Sequence, residues 1–452
     1  MTMSPQKKIL LVGIGVAALA GTATVRAAAQ SDTYKQLDAL MDVFEQVRVT
    51  YVDKVDDKTL IDGAINGMLA SLDPHSNYLD QRDFASMRQT TDGEYGGLGL
   101  SVSIEDGAVK VIAPMDDTPG ARAGIKPGDY ITHIEGELIY GQPLNEAVDR
   151  MRGLAGSKIA ITIARQGEAK PLQFSLTREV IQIRPVKWEV KNNVGIVRIS
   201  TFNKQTGPAT RDAVAAIDKK LGAALSGYVI DLRSNPGGLL DQAIEVSDVF
   251  LDKGEIVSQR GRAKGDIIRY HAKAGDLTHG KPIVILVDEG SASAAELVAG
   301  ALQDHRRAIV IGERSFGKGS VQTLIPLVEN TGLRITTARY FTPSGRSVQE
   351  AGIEPDVSVP QLSDALRGER PRRREADLTR HLINEVKDGT EKLVETDEKP
   401  DPRFTQTADE LKKAGVLDFQ LDYAVKMLGR LAPAATVQMA EAAGLSPAAA
   451  QR

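Results

Sequence analysis

The sequence predicts a multidomain protein of α+β and α/β architecture. Three observations support this fold class. The chain has 452 residues, enough for roughly two to four domains. Short strand-like runs separated by Gly and Pro fill residues 96–178, and strands alternate with helices between about Pro185 and Val359.

These patterns predict five segments. Residues 1–29 form a targeting segment, and residues 30–95 a helical region. Residues 96–180 form a strand-rich domain, residues 181–360 an α/β core, and residues 361–452 a helical extension that is partly disordered.

The helical region shows two sets of apolar residues at helical spacing. They are Leu37, Leu40, Met41 and Phe44, followed by Ile61, Ile65, Met68 and Leu69. A turn-rich break, DPHSNY, follows at Asp73–Tyr78. We interpret His75 in this break as a structural residue rather than a site residue.

The remaining helices and strands follow from the same patterns. We expect helices at Asn145–Met151, Pro208–Leu221 and Leu239–Phe250, and another in SAAELVAGALQD after the strand IVILVDE. AIVIGE and VQTLIPL read as further strands. The alternation favours a largely parallel sheet in the core.

Composition excludes several kinds of site. The net charge of −4 gives no electrostatic support for nucleic-acid binding. Without cysteine, the chain has neither disulfides nor thiolate metal sites, and its six histidines form no H-E-x-x-H zinc pattern. The basic run RGERPRRR, Arg367–Arg374, is interpreted as a solvated linker.

The N-terminus indicates export from the cytoplasm. Lys7 and Lys8 precede an apolar run from Ile9, which ends near the small residues Ala27-Ala28-Ala29. This is the pattern of a secretory signal peptide. An uncleaved anchor is the alternative, because Ile9–Val25 just reaches the length of a membrane span.

The stretch GERSFGKGS, Gly312–Ser320, nearly matches a phosphate-binding loop, G-x-x-x-x-G-K-[ST]. Gly319 stands where the loop needs Ser or Thr. A phosphate loop also needs a helix after it, whereas SVQTLIPLV is rich in β-branched residues and contains Pro326. An ATPase is therefore a remote alternative.

A buried lysine has another use, because desolvation lowers its pKa and lets it take a proton from a serine. Ser293 lies where a strand gives way to a helix, a turn that exposes a side chain at the edge of an α/β sheet. The alternative is that Ser293 only caps the helix, since Ser293-Ala-Ala-Glu296 is a capping box.

Backbone groups near Ser293 suit an oxyanion. The N–H of Ala294 and that of Gly237 or Gly238, which follow another strand, are candidate donors. A histidine base is excluded: Asp304 and His305 lie at the far end of the helix that Ser293 begins, about 18 Å away.

These motifs resemble the carboxy-terminal processing peptidases, or tail-specific proteases, which are Ser–Lys endopeptidases. SASAAELVAGALQDHRRAIVIGERSFGKGSVQ is similar to their active-site block, including the 25-residue gap from 293 to 318. The resemblance covers about Tyr51–Val359 and implies a crotonase/ClpP-like protease core. It implies Ser293 as nucleophile, Lys318 as general base and Gln322 as its support, with no metal or cofactor. Ala295 departs from the family, in which many members have Ser.

Residues 96–178 resemble a PDZ domain. Its carboxylate-binding loop would be Gly97, Leu98, Gly99 and Leu100, which would hold a peptide added as a strand. The alternative is a simple strand-entry turn. Arg152, after the predicted helix, is a candidate for coupling the PDZ domain to the protease, or else a surface arginine.

We therefore expect a secreted endopeptidase, in the bacterial periplasm or anchored to a membrane, that binds apolar C-terminal tails through its PDZ domain. Protein substrates are the implied partners, with an adaptor protein as a further candidate, homo-oligomers expected and nucleic acid excluded. The second hypothesis is an inactive PDZ scaffold or chaperone.

Overall fold

The computed structural model describes residues 32–365, 373–384 and 403–431. The chain divides into two compact units, Met1–Leu72 and Asp73–Arg452. The targeting segment, most of the basic run and the Ala-rich end from Ala432 lie outside the described residues.

The first unit is helical, as predicted. Its helices are α1, residues 32–50, and α2, Asp57–Ala70. Asp56 caps α2 by accepting the Thr59 N–H at 3.3 Å. Among the described residues, no helix is both long and apolar enough to cross a membrane.

The second unit opens with three short elements that connect its two folded regions. They are β1 (Asn77–Leu79), α3 (Gln81–Asp92) and β2 (Glu94–Gly97). Strand β2 pairs with β9, Glu179–Gln182, so the entry to and the exit from the strand-rich domain lie side by side.

The strand-rich domain is an antiparallel sheet with the order β3-β4-β5-β7-β8, and β6 pairs with β5. Alternate residues of its strands, such as Val109, Ile131 and Ile161, point into one buried core. The elements are β3 (Leu100–Glu105), β4 (Ala108–Pro114), α4 (Pro119–Arg122), β5 (Tyr130–Ile134), β6 (Glu137–Leu138), α5 (Leu144–Met151), β7 (Lys158–Ala164) and β8 (Leu172–Thr177).

The α/β core contains a six-stranded sheet and a second, antiparallel sheet. Its elements are β10 (Val186–Lys191), β11 (Val194–Ile199), α6 (Thr206–Leu221), β12 (Gly227–Asp231), α7 (Leu240–Phe250), β13 (Glu255–Arg260), β14 (Ile267–His271), β15 (Ile283–Val287), α8 (Ala294–Asp304), β16 (Ile309–Gly312), β17 (Ser320–Pro326), β18 (Gly332–Phe341) and β19 (Val357–Ser358).

The six-stranded sheet has the order β10-β11-β12-β15-β16-β19 and is parallel except for β10. Every residue of β12 and β15 is buried, as expected where both faces of a parallel sheet are covered. Helices α6, α7 and α8 cover one face. The predicted parallel sheet is therefore present.

The C-terminal extension covers the other face. Its helices are α9 (Ala408–Lys413) and α10 (Phe419–Leu431). Ala424, Val425 and Leu428 of α10 pack against Val229 and Leu286 of the sheet. The two described helices of the predicted extension thus pack on the folded core.

Candidate active site

Ser293 lies at the turn between β15 and α8, as the sequence predicts. Its backbone has φ 54° and ψ −115°. A non-glycine residue rarely adopts positive φ, and such strain is concentrated at functional sites. The same geometry characterises serine nucleophiles that a sharp strand-to-helix turn presents.

This backbone conformation bears on the capping alternative. A residue that only caps a helix has extended backbone dihedrals with negative φ, whereas Ser293 does not. Glu296 does accept the Ser293 N–H at 2.7 Å, so the capping-box contact from Glu296 is present. Helix capping therefore explains Glu296 but leaves the strained backbone of Ser293 unexplained.

The Glu296 carboxylate connects the serine turn to the lysine turn. Its Oε2 accepts the N–H of Ser293 at 2.7 Å and the N–H of Lys318 at 2.9 Å. Its Oε1 accepts the Ser315 hydroxyl at 2.5 Å and the Gly317 N–H at 2.7 Å. Burial raises the pKa of Glu296 to about 7, against these four hydrogen bonds, which lower it.

Two further hydrogen bonds join these two turns to each other and to the turn after β12. The Phe316 N–H donates to Ser291 O at 3.0 Å, and the Ser291 hydroxyl donates to Leu232 O at 2.9 Å. The turns after β12, β15 and β16 are thus joined at one edge of the sheet. The carboxyl ends of parallel strands are the usual place for a site in an α/β fold.

Lys318 is largely buried, and burial lowers its pKa. The positive charge of Arg334 lowers this pKa further, whereas Glu375, Asp73 and Glu296 raise it. The amine is therefore neutral at a lower pH than that of an exposed lysine, as a general base requires.

The predicted partners of Lys318 are Ser293 and Gln322. Within the described chain, no hydrogen bond joins the Ser293 hydroxyl to the Lys318 amine. Gln322 donates to the hydroxyls of Thr336 at 2.9 Å and Ser320 at 3.2 Å. Its Oε1 is buried without a partner among the described residues, which leaves an acceptor for an amine.

The glycine turn after β12 lies directly against Ser293. A Cβ added at Gly237, where φ is 95°, would come within 2.8 Å of Ser293 Cβ and 2.9 Å of Ala294 N. The Gly237 N–H, however, already donates to Asn235 Oδ1 at 2.9 Å. Of the two predicted glycines, Gly238 is the better oxyanion donor beside Ala294, and the assignment stays a prediction.

The strand-rich domain has a groove between β3 and α5. The predicted loop residues Gly97, Leu98, Gly99 and Leu100 line it together with Tyr95, Val102, Val148, Met151 and Arg152. Carbonyl groups of the loop are engaged: Gly99 O accepts the Met115 N–H at 2.7 Å. In the described chain, the N–H groups of Leu98 and Gly99 have no acceptor, so they can bind a carboxylate.

Arg152 forms part of this groove. Its guanidinium lies over the ring of Tyr95, 4.8 Å from the ring centre. Its Nε is buried without a hydrogen-bond partner among the described residues. The predicted coupling between Arg152 and the protease stays a prediction.

Two competing interpretations lose support. Lys318 is followed by strand β17 rather than by the helix that a phosphate loop requires. His305 lies at the end of α8, and its Nε2 contacts Glu255 O at 2.7 Å. Lys318 therefore lacks the phosphate-loop context within the described chain, and His305 is held at the far end of α8 from Ser293.

Sequence reasoning assigned no site role to Asp73, Arg334 and Glu375, whose charges act on Lys318, or to His75, which contacts Glu375. His75 is more than a turn residue, because its Nε2 contacts the Glu375 carboxylate at 2.8 Å. Asp73 holds the DPHS turn by accepting the N–H groups of His75 and Ser76 at 2.8 and 2.9 Å. No local signal could place Glu375 here, since 300 residues separate it from His75.

Three segments of the chain match known families. Residues 193–359 match peptidase family S41. Residues 110–165 match the PDZ domain family, and residues 17–83 match the N-terminal domain of the activating protease CtpB.

Known proteins are similar to this chain over most of its length. A carboxy-terminal-processing protease of Bartonella bacilliformis is 53% identical over 355 residues, which cover 78% of this chain and 82% of that protein. The carboxy-terminal processing protease CtpA of Bacillus subtilis is 38% identical over 72% of this chain and 69% of that protein. The structure of a photosystem II D1 C-terminal processing protease is 30% identical over 71% of this chain and 92% of that one, with a TM-score of 0.43.

Proposed function

The chain belongs to the carboxy-terminal processing proteases of peptidase family S41, and we propose that it cleaves proteins with apolar C-terminal tails through a Ser293–Lys318 dyad. The observation that carries this proposal is that one oxygen of Glu296 holds the backbone of both residues. The strained Ser293 and the buried Lys318 support it.

In the proposed mechanism, Ser293 Oγ attacks the scissile carbonyl while the neutral Lys318 amine accepts the hydroxyl proton. The negative charge on the carbonyl oxygen is stabilised by the N–H groups of Ala294 and Gly238. Lys318 then gives its proton to the leaving amine, which leaves an acyl group on Ser293. Water, deprotonated by Lys318, then attacks this ester, and the Lys318 ammonium returns the proton to Ser293 Oγ as the new carboxylic acid leaves, which restores the enzyme.

Proton transfer requires Ser293 Oγ and Lys318 Nζ to approach to about 2.6–3.2 Å, and such contacts often tighten only when substrate binds. Both turns are already fixed through Glu296. In the proposal, the Ser293 and Lys318 side chains meet when substrate binds, and Gln322 Oε1, which has no hydrogen-bond partner among the described residues, accepts a hydrogen bond from the lysine.

Tail recognition is assigned to the groove beside β3. A peptide would add as a strand, its carboxylate on the N–H groups of Leu98 and Gly99 and its apolar side chains near Val148 and Met151. The test compares two versions of one reporter protein, with an apolar and a charged C-terminal tail. We expect kcat/KM to be at least about tenfold higher for the apolar tail. Equal values would contradict tail recognition.

An inactive scaffold that uses only its PDZ domain is the alternative. A fluorophosphonate that reacts with activated serines distinguishes the two, with the labelled peptide identified by mass spectrometry. We expect labelling at Ser293 and its loss in Lys318→Ala. A chain that remains unlabelled and leaves every tailed protein intact would favour the scaffold.

Export and assembly complete the proposal. The basic and apolar N-terminus would direct the chain out of the cytoplasm, to the bacterial periplasm. Apolar side chains of α1, including Leu37, Leu40 and Met41, are exposed and are candidates for self-association. Cell fractionation tests the location, and sedimentation of the full chain and a Leu40→Glu variant tests assembly.

A further inference from the structure

A short segment that follows the α/β core, residues 373–384, lies against the turn that carries Lys318. The N–H of Glu375 donates to Phe316 O at 3.1 Å. Glu375 is fully buried, with none of its surface exposed. Burying a carboxylate costs free energy unless hydrogen bonds compensate, so the partners of Glu375 indicate what it does.

The Glu375 carboxylate has two side-chain partners. Its oxygens lie 2.8 and 3.0 Å from His75 Nε2, and its Oε1 accepts the Gln349 side-chain amide at 3.0 Å. Gln349 is also fully buried, and its Oε1 accepts the Gly319 N–H at 3.0 Å. A single chain of hydrogen bonds thus runs from Glu375 to the residue after Lys318.

A second set of bonds holds the other side of the turn. The Glu350 N–H donates to Gly317 O at 2.9 Å. The Glu350 carboxylate contacts His381 Nε2 at 2.8 Å and accepts the Asn384 N–H at 3.2 Å. Both ends of segment 373–384 are therefore tied, directly or through one residue, to the backbone on either side of Lys318.

We propose that Glu375 is a positioning residue of the protease, which anchors segment 373–384 against the Phe316–Gly319 turn and so holds the Lys318 amine in place. Glycines flank Lys318 on both sides, and glycine backbone is conformationally permissive. The turn therefore depends on external contacts for a fixed geometry. The inference rests on the proposed Ser293–Lys318 dyad, and it gives the C-terminal extension a role in catalysis.

Glu375 also contributes to the electrostatics of the base. Burial and the charge of Arg334 lower the pKa of Lys318, while the charges of Glu375, Asp73 and Glu296 raise it, with a net lowering. Removing the charge of Glu375 should therefore lower the pKa of Lys318 further. A residue with only a structural role would leave the pH dependence of the reaction where it is.

The test is Glu375→Gln in the full chain, assayed on the apolar-tailed reporter protein across a range of pH. We expect kcat to fall at least about tenfold, because misplacing a catalytic group by about 1 Å can cost about a hundredfold. KM should stay near the wild-type value, and the acid limb of kcat against pH should move to lower pH. Amide hydrogen exchange at Phe316–Gly319 should become faster.

Asp377→Asn is the matched control, since Asp377 belongs to the same helical turn but is exposed and accepts only from Arg374 within the described chain. It should behave as wild type. His75→Gln alters the hydrogen-bond partner of the Glu375 carboxylate and replaces Glu375→Gln as the test if that variant folds poorly. His75→Gln should also lower kcat at constant KM.

The inference is wrong if folded Glu375→Gln and His75→Gln both retain the wild-type kcat and acid limb while Ser293→Ala is inactive. A wild-type protein that does not cleave, or an active Ser293→Ala, would instead overturn the proposed function.

Discussion

The backbone N–H groups of Ser293 and Lys318 donate to the same oxygen of one buried carboxylate, Glu296 Oε2, at 2.7 and 2.9 Å. Two residues that are 25 positions apart in the chain are thereby held at one point. The relative position of the proposed nucleophile and the proposed base is fixed by their backbone and does not depend on a direct contact between their side chains.

Glu296→Gln should therefore inactivate the enzyme although Glu296 itself does not touch the reacting atoms. An amide has one acceptor oxygen in place of two, so buried N–H donors lose their partners, at about 1–3 kcal/mol each. We expect kcat to fall by about a hundredfold or more and the free energy of unfolding to decrease. Glu289→Gln on the preceding turn should leave both unchanged, and an active, stable Glu296→Gln would refute this role.

Arg334 offers a test of the state of the base. Its charge lowers the pKa of Lys318, so Arg334→Gln should raise that pKa and move the acid limb of kcat/KM to higher pH. Arg334→Lys keeps the positive charge, so its acid limb of kcat/KM should lie nearer to that of the wild type than the acid limb of Arg334→Gln does. The measurement is kcat/KM against pH for the three proteins; a limb unmoved in Arg334→Gln means that Lys318 is not the titrating base.

Tail binding can be separated from catalysis by two glycine substitutions. Gly99 and Gly124 both have positive φ, 69° and 77°, but only at Gly99 would a Cβ collide, within 2.3–2.5 Å of the Thr118 side chain. Gly99→Ala should raise KM for the tailed protein and leave the hydrolysis of a short tail-less peptide unchanged. Gly124→Ala carries the same backbone strain and should keep the wild-type KM, so equal KM values in the two variants would contradict the assigned loop.

The C-terminal helix α10 should stabilise the core in a pH-dependent way. Asp418 contacts the buried Arg233 at 2.7 Å. Burial alone would raise the pKa of Asp418, but the contact with this arginine lowers that pKa to about 2. The stabilisation is present above the ordinary pKa of about 4 and is lost as pH falls through about 2.

Asp418→Asn should thus lower the free energy of unfolding at pH 7 by about 1–2 kcal/mol, a value discounted for partial exposure. The difference from wild type should shrink in acid. Urea unfolding at pH 7 and in acid measures this difference in the free energy of unfolding. Asp422→Asn is the control, because the ion pair of Asp422 with Lys426 is a surface pair. An equal loss at pH 7 and in acid would show that the pair with Arg233 is not its source.

The elements that carry Ser293 and Lys318 could be predicted because their signals are local. The strand before Ser293 is a continuous apolar run, the helix after Ser293 follows a capping-box motif, and the strand after Lys318 is rich in β-branched residues. Ser293 and Lys318 belong to short motifs of this kind, whereas His75, Glu375 and Arg334 meet only through the tertiary fold. The pairing of Gly237 N–H with Asn235 likewise depends on the turn geometry, which the glycines alone do not specify.

The most direct test of the account is the cleavage rate of an apolar-tailed reporter protein by Ser293→Ala and Lys318→Ala, each confirmed as folded by thermal unfolding. We predict that Lys318→Ala loses about 10²–10⁴-fold in kcat and that Ser293→Ala loses at least as much. Cleavage at the wild-type rate by either variant would contradict the Ser293–Lys318 mechanism.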